Sequence, residues 1–374
     1  MPTFREAISP WLIAQLGLVS VSANAQEGWD NMKGLVPRSY DCLHTPDAMV
    51  IDGSLSDASW HRAPWSEPFV DIRGPGHPAP RYATRMKMMW DDEFLYVGAE
   101  MEEPHVWGTL EEKNSVIYHD NDFEVFIDPD GDRQNYYELE INVLNTIWEL
   151  TLERTYRDGG PAHLGTNIDG LKSAVSIAGT ANNPADEDTG WSAEIAIPWD
   201  GLARYSPDPV PPRDGDVWRI NLSRVEWEHE IAGGKYRKVP EVPENNWVWS
   251  PQGVIDMHRP ERWGYVRFVR ESAKSAWADP TLQARDFLMG IYYLQRRYHE
   301  ETENWADELS RLGPDAAKEP DNSDFRVAEM ELGKGGYRLT VLAELPGGST
   351  TALSVDDSGR LWQGDSVRTM TPAE

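Results

Sequence analysis

Cysteine is nearly absent from the sequence, since Cys42 is the single one among 374 residues. One thiol cannot form an intramolecular disulfide, a zinc–thiolate site or a c-type haem attachment. We expect Cys42 to be a small buried side chain. The sequence therefore excludes disulfide-stabilised and zinc-finger classes of protein.

Long apolar runs are missing too. The mostly apolar run Trp11–Val21 is too short to cross a bilayer as a helix, and the A-x-A pattern Ala23-Asn24-Ala25 follows it. We expect a signal peptide at residues 1–25, cleaved after Ala25, and a mature protein that is periplasmic or secreted without membrane insertion. The alternative, an N-terminal amphipathic helix, leaves the A-x-A pattern unexplained.

Basic side chains are scarce: 35 Lys and Arg stand against 63 Asp and Glu, a formal charge of −28. Such a surface repels nucleic-acid phosphates and anionic lipid headgroups. It suits neutral sugars or cations, although acidic composition also simply favours solubility. Nucleic acid is therefore excluded as a partner, and the sequence does not give the oligomeric state.

Short alternating runs separated by Gly, Pro, Asn and Asp fill residues 40–270. In Asp122–Asp128 and Tyr136–Val143, apolar side chains point to one face and polar side chains to the other. Further strands are predicted at Ala83–Trp90, Phe94–Glu100, Thr146–Glu153, Leu171–Ile177, Trp191–Ile197, Val217–Val225, Trp247–Trp249 and Gly264–Val269. Strands without intervening helices predict an all-β fold, an antiparallel β-sandwich.

The flanking segments differ from this β region. Residues 26–39 are interpreted as an N-terminal linker. In residues 271–314, Asp279-Pro280 is a helix start, and an apolar stripe after it predicts one or two amphipathic helices. Residues 315–374 predict a small β tail, with strands at Phe325–Glu331, Tyr337–Leu345, Thr350–Val355 and Arg360–Gln363.

Five short motifs follow one another through the β region. They are Ile51-Asp52-Gly53 with Asp57 and Trp60; Trp90-Asp91 with Leu95-Tyr96-Val97; Glu124 with Phe126-Ile127-Asp128; Trp191 with Glu194 and Ile197-Pro198-Trp199; and Pro260 with Trp263-Gly264. In this order they resemble the family 9 carbohydrate-binding modules over most of residues 40–270. The resemblance implies a β-sandwich in which Trp60 and Trp90 are core residues.

The resemblance also implies a position for a sugar. In the sugar-binding members of the family, a pair of tryptophans sandwiches the sugar ring, and the matching positions here are Tyr118 and Met257. Tyr118 can stack on a sugar, whereas Met257 is a poorer platform. Because this clamp is not intact, the family's sugar preference is not transferred to this chain.

The alternation itself predicts a polar face. Glu124, Glu138, Glu140 and Asn142 fall on one side of neighbouring strands, and rings among the 17 tryptophans and 14 tyrosines can flank them. Such a face suits sugar hydroxyls, although a solvated outer face has the same pattern. The expected ligand contacts are Tyr118, His119, Asp120, Glu124, Glu140, Asn142, Arg224, Trp249, Met257 and His258.

A metal site is predicted in the turn that follows Glu124. Asp128, Asp130 and Asp132 place carboxylates around this turn, and hard oxygen ligands suit Ca²⁺. An ordinary acidic hairpin has the same sequence, but the family often binds calcium structurally. No cofactor is otherwise required.

Two other functions remain open. Glu124 with Glu138 or Glu140 is a candidate carboxyl pair for a hydrolase acting on O-glycosyl compounds, although ordinary ion networks contain such pairs too and no catalytic motif is present. A haem b sandwich is a further alternative, but the neighbours Met257 and His258 diverge and cannot both ligate one haem. The other methionines, Met86, Met88, Met89 and Met101, are expected in the core. The favoured interpretation is an exported carbohydrate-binding protein that functions in polysaccharide catabolism.

Overall fold

The computed structural model describes residues 25–271, 277–314, 316 and 324–364. The predicted signal peptide therefore lies outside the described residues, apart from Ala25. The α-helices are α1 (Ala25–Met32), α2 (Ala58–Arg62), α3 (Trp199–Leu202) and α4 (Leu282–Thr302). No helix within these ranges has the length and apolar character needed to cross a membrane.

Most of the described chain is β-strand. The strands are β1 (Ser39–His44), β2 (Val70–Asp71), β3 (Thr84–Trp90), β4 (Phe94–Glu102), β5 (Asp122–Asp128), β6 (Tyr136–Asn142), β7 (Ile147–Leu152), β8 (Ala162–Leu164), β9 (Lys172–Ala178), β10 (Gly190–Pro198), β11 (Val217–Glu226), β12 (His229–Ala232), β13 (Lys235–Lys238), β14 (Asn245–Val248), β15 (Gly264–Val269), β16 (Phe325–Gly333), β17 (Gly336–Glu344), β18 (Thr350–Asp356) and β19 (Leu361–Gln363). All the strands predicted from alternation are present. The sequence did not predict β1, β2, β8, β12 or β13.

A 13-stranded sheet forms the body of the fold, in the order β8-β7-β6-β5-β11-β15-β1-β3-β4-β10-β9, with β14 and β2 branching from β11. Most pairs are antiparallel, but β1 runs parallel to both β15 and β3. The sheet is thus mixed at its centre, where the sequence predicted only antiparallel pairing. β12 and β13 form a separate two-stranded sheet.

The two ends of this curled sheet share one hydrophobic core. Val125 and Leu139, from β5 and β6, are buried in the same cluster as Val97 and Ile195, from β4 and β10. Side chains from two sheet faces in one core define a sandwich, which confirms the predicted fold class. Cys42 lies in this core, and the methionines expected there are fully or almost fully buried: Met86, Met88, Met89 and Met101.

The residues of the first and fourth motifs meet around one carboxylate. Glu194 Oε2 accepts the backbone N–H groups of Asp52 (3.0 Å) and Gly53 (3.1 Å), and Oε1 accepts the indole N–H of Trp60 (2.8 Å). Trp60 is fully buried. These motif residues therefore hold the loop before β3 against β10.

The second motif serves the β3–β4 hairpin. Asp91 Oδ1 accepts the N–H groups of Glu93 and Phe94, each at 2.7 Å, and the Asp91 carbonyl accepts the indole N–H of Trp199 at 2.8 Å. Trp90 is fully buried, as expected. The first, second and fourth motifs thus have structural roles.

The chain divides into two compact units. One unit is Gly34–Leu282 with Arg360–Trp362, and it contains the 13-stranded sheet; the other consists of Met1–Lys33, Gln283–Gly359 and Gln363–Glu374. The four-stranded sheet has the order β16-β17-β18-β19 and contains the strands predicted for the tail.

Aromatic contacts join the segments of the second unit. The rings of Phe287, on α4, and Phe325, on β16, lie 5.1 Å apart. The segment 26–39, interpreted as a linker, contains most of α1, whose Trp29 stacks on Tyr293 of α4 at 5.4 Å. Apolar packing of Trp29 against α4, which is not visible in the sequence of this segment, explains why the segment is helical.

Candidate functional site

Strand register brings four acidic side chains onto one face of the sheet. Glu124 of β5 lies directly opposite Glu140 of β6, and Glu138 lies opposite Phe126. Asp122 precedes Glu124 by two residues, so it points to the same side. We call Asp122, Glu124, Glu138 and Glu140 the acidic cluster. The predicted grouping of the glutamates is therefore observed.

The acidic cluster is not the open, solvated face that the sequence suggested. Its side chains are 0 to 4 % exposed, because an apolar cluster that includes Ile72, Ile117, Val248 and Trp263 packs over the same face. The alternation of polar and apolar residues did not reveal this cover, since it comes from loops and neighbouring strands. The carboxyl groups are thus buried beneath this apolar cluster rather than on an open surface.

Burial changes the ionisation of the cluster. It raises the pKa of Glu124 to about 7 and those of Glu138 and Glu140 well above the ordinary glutamate value, to which the charge of Glu124 contributes. Asp122 is affected in the same way. Removal of a carboxylate from water disfavours its charged form, and neighbouring carboxylates disfavour it further. The cluster therefore favours protons or cations.

Aromatic rings border the acidic cluster. Tyr118 is half-buried, its backbone N–H donates to Glu140 Oε2 at 2.9 Å, and its ring lies 6.4 Å from that of Trp148. Tyr156 is 45 % exposed, and its ring lies 4.6 Å from the imidazole of His258. Burial raises the pKa of Tyr156, and the charges of Glu138 and Glu140 contribute to this shift. We call Tyr118, Trp148, Tyr156 and His258 the ring border.

His258 is fixed in this border as an uncharged ring. Its Nδ1 shares a hydrogen bond of 2.9 Å with the hydroxyl of Tyr136, and Arg157 donates to its backbone carbonyl. Burial lowers the pKa of His258 to about 4. The adjacent Met257 is buried in the apolar cluster over the sheet face, so His258 and Tyr156, rather than Met257, offer flat surfaces here.

Asp120 and Asn142 form hydrogen bonds with each other and with the backbone near the site. The Asn142 amide donates to the Leu110 carbonyl and to Asp120 Oδ2, and its Oδ1 accepts the N–H groups of Leu144 and Thr146. Every polar atom of the Asn142 side chain is therefore engaged in holding the chain. His119, by contrast, is exposed, and its ring lies 4.7 Å from Tyr118.

The structure corrects the placement of Arg224. On β11 it is Ser223, not Arg224, that lies opposite Glu124. Arg224 therefore points to the other face of the sheet, where it is fully buried and forms ion pairs with Glu103 (2.9 Å) and Glu226 (2.8 Å). It cannot contact a ligand at the acidic cluster.

The placement of Trp249 is also corrected. It is 1 % exposed within the main hydrophobic core, and an added Cβ on Gly264 would lie 2.2 Å from its ring. Trp249 is thus a core residue rather than part of the ring border.

Two members of the ring border were missed by the sequence analysis. Trp148 lies directly opposite Glu140, so extending the alternation from β6 into the predicted β7 would have found it. Tyr156 lies in a single 3-10 turn after β7, where no periodic pattern exists.

The predicted calcium turn brings its three carboxylates close together. Carboxylate oxygens of Asp128, Asp130 and Asp132 lie within 4.8 Å of one another. The backbone already uses part of this set, since Asp128 accepts the N–H groups of Gly131 and Arg133. Asp132 also accepts a hydrogen bond from Arg360 at 2.7 Å. Calcium binding here stays a prediction.

Comparison with known proteins gives one family and several relatives. Residues 51–251, more than half of the chain, match the family described as "Carbohydrate family 9 binding domain-like". Exoglucanase XynX of Acetivibrio thermocellus is 32 % identical over 154 residues, 41 % of this chain and 12 % of that protein. Endo-1,4-beta-xylanase A of Thermoanaerobacterium saccharolyticum is 29 % identical over 154 residues, 41 % of this chain and 11 % of that protein. The chain thus spans only a small share of these relatives.

Solved structures of a family 9 module from Caldicellulosiruptor kristjanssonii are also similar. The complex with cellotriose has a TM-score of 0.42 and 17 % identity, covering 64 % of this chain and 97 % of that chain. The complex with glucose has a TM-score of 0.41 and 17 % identity, covering 64 % of this chain and 99 % of that chain.

Proposed function

The chain belongs to the carbohydrate family 9 binding domain-like family, and from this membership we propose that it binds a saccharide at the acidic cluster. The observation that carries the proposal is the pairing of half-exposed rings with buried oxygen atoms. Tyr118 and Tyr156 offer flat apolar faces, the backbone N–H of Tyr118 donates to Glu140, and the charges of Glu138 and Glu140 contribute to the raised pKa of Tyr156.

Each part has a role in sugar recognition. The C–H face of a sugar ring packs on an aromatic ring, while its hydroxyls donate to carboxylate oxygens or accept from protonated carboxyls. Carboxyls of raised pKa can do either, so the cluster can match several hydroxyl arrangements. The uncharged His258 adds a polar ring without adding charge. This chemistry selects a neutral saccharide.

We further propose that the protein is exported and acts in polysaccharide catabolism. The A-x-A pattern that ends at Ala25 supports export, and the names of the curated relatives support the catabolic role. Mass spectrometry of the protein after expression in a bacterial host tests export. A mature chain that begins at Gln26 is expected, and an uncleaved intracellular chain would contradict it.

The test of saccharide binding is calorimetric titration of the full chain with cello- and xylo-oligosaccharides and then with a glycan array. Tyr118→Ala removes one stacking face and is expected to weaken binding by about 10-fold. Tyr118→Phe keeps the ring and is the matched control, expected to bind as the wild type does. A folded protein that binds no mono-, oligo- or polysaccharide would contradict the proposal.

The same samples distinguish binding from catalysis. Incubation of the protein with polysaccharides should release no reducing ends if it is a binding protein. Release that disappears in Glu124→Gln would instead establish a glycosidase with a catalytic carboxyl pair. Reconstitution with haem is expected to give no Soret band, and a band would favour the haem alternative.

A further inference from the structure

The hairpin of β12 and β13 turns one of its lysines inwards. In β13, Lys235 and Arg237 are exposed. Tyr236 is buried and Lys238 is half-buried, so these two side chains share the inner face of the hairpin. The Tyr236 ring stacks on that of Trp107 at 6.3 Å, which holds this face against the loop that follows β4. The packing of the hairpin therefore fixes the direction of Lys238.

Trp227 connects this lysine to the ring border. Lys238 Nζ lies 3.4 Å from the centroid of the Trp227 ring, which is a cation–π contact. The indole N–H of Trp227 donates to the backbone carbonyl of Tyr118 at 2.8 Å. The backbone N–H of Trp227 donates to Asn121 Oδ1, also at 2.8 Å. A single indole ring thus separates the ammonium group of Lys238 from the backbone of Tyr118.

These contacts fix the backbone of Tyr118 on both sides. Its N–H donates to Glu140 Oε2 and its carbonyl accepts from the indole of Trp227. Tyr118 itself lies in a single 3-10 turn, Ile117–His119, which offers few backbone hydrogen bonds of its own. Trp227 is therefore a positioning residue for the ring on which the proposed saccharide packs.

The ammonium group of Lys238 still has hydrogen bonds to donate. In the described part of the chain no oxygen atom accepts a hydrogen bond from its Nζ, although the chain has 63 acidic side chains. By contrast, Lys87 donates to the Trp60 carbonyl at 2.6 Å, and Lys113 pairs with Glu149 at 3.1 Å. An ammonium group has three donors, and its partial removal from water is costly unless acceptors replace the water. Lys238 is thus prepared to donate to a ligand.

We propose that Lys238 donates to hydroxyl oxygens of a second sugar unit, next to the unit that packs on Tyr118. This subsite rests on the proposed function, because it extends the same saccharide beyond the ring border. The exposed His119, whose ring lies 4.7 Å from that of Tyr118, borders the same surface. The charge of Lys238 contributes, after burial, to the lowered pKa of His119. The preferred ligand is therefore a neutral oligosaccharide rather than a monosaccharide.

The test is calorimetric titration of the full chain with glucose and cellotriose, and with xylose and xylotriose. The wild type should bind each trisaccharide more tightly than the monosaccharide. Lys238→Met keeps an apolar stem on Trp227 but lacks the ammonium group. The ratio of trisaccharide to monosaccharide affinity should fall by about 10-fold in this variant, as expected for one lost hydrogen bond from a charged group. The matched control Lys235→Met removes the same charge from the outer face and should leave the ratio unchanged.

Trp227→Phe separates the two roles. It keeps a ring beneath Lys238 but lacks the N–H that holds Tyr118, so the affinity for the monosaccharide should fall together with that for the trisaccharide. An unchanged monosaccharide affinity in this variant would overturn the positioning role of Trp227.

The outcomes distinguish this subsite from the proposed function. If saccharides bind but the affinity ratio is the same in Lys238→Met as in the wild type, the subsite is overturned and saccharide binding at the ring border stands. A wild type that binds neither the monosaccharides nor the trisaccharides would overturn both.

Discussion

His258 links the ring border to the stability of the folded chain. Its imidazole is held by Tyr136 and its carbonyl by Arg157, and burial lowers its pKa to about 4 from the ordinary 6.5. The folded chain therefore excludes a proton that the unfolded chain takes up. Any sugar contact through this ring is made by a neutral group across the neutral pH range.

This difference predicts a pH dependence with a definite sign. As the pH falls from 6.5 towards 4, the unfolded state binds a proton at His258 and the folded state does not, so the free energy of unfolding falls. His258→Gln lacks this contribution. Urea unfolding between pH 6.5 and 4 should show that the free energy of unfolding falls less in the variant than in the wild type. Equal losses would contradict the assignment of a lowered pKa to His258.

Residue placement shows what alternation can and cannot predict. Within β5 and β6 the two-residue period placed Glu124, Glu138 and Glu140 on one side. It failed for Arg224, because the register of β11 against β5 pairs Glu124 with Ser223. A shift of one residue moves every side chain of a strand to the other face. The sequence does not reveal the register between strands that are separated by about a hundred residues.

At the scale of elements, the loop between β1 and β3 is held by a close backbone approach. Gly53 has φ +86°, and a Cβ at this position would lie 2.5 Å from the carbonyl carbon of Val175 on β9. Its N–H also donates to Glu194, as described above. A side chain here would separate the loop from both β9 and β10.

Gly53→Ala is therefore expected to be destabilising for two reasons. Its positive φ costs about 1 to 2 kcal/mol, and overpacking adds about 1 to 3 kcal/mol. Gly76→Ala is the matched control, because φ is +94° but no atom lies within 4 Å of the added Cβ. Chemical unfolding of both variants should show a larger decrease in the free energy of unfolding for Gly53→Ala than for Gly76→Ala. Equal losses would mean that the approach to β9 does not matter.

The elements themselves were largely predictable, because hydrophobic alternation and turn residues are local signals. β5 and β15 begin and end at the predicted residues, and the four strands of the tail are present. β1 was missed because its partners are distant in sequence: Leu43 pairs with Met89 and with Val269. Tyr156 was missed because a single turn has no period. Non-local pairing and loop conformation thus account for most of what the sequence did not predict.

At the scale of the whole molecule, the net charge of −28 should discriminate between saccharides. The electrostatic field of a negatively charged protein repels uronate-containing chains and leaves neutral chains unaffected. Salt at 0.1 M screens this field beyond about 10 Å. We expect neutral oligosaccharides to bind more tightly than their carboxylated analogues at low salt. The difference in affinity between neutral and carboxylated oligosaccharides should become smaller as salt is added. Tighter binding of anionic chains than of neutral chains at low salt would contradict saccharide binding at the acidic cluster.

The most direct measurement is a crystal structure of the full chain soaked with cellotriose and xylotriose. We expect sugar density between Tyr118 and Tyr156, with hydroxyls directed at the acidic cluster. Density on another part of the sheet, with both tyrosines free of sugar, would contradict saccharide binding at the acidic cluster.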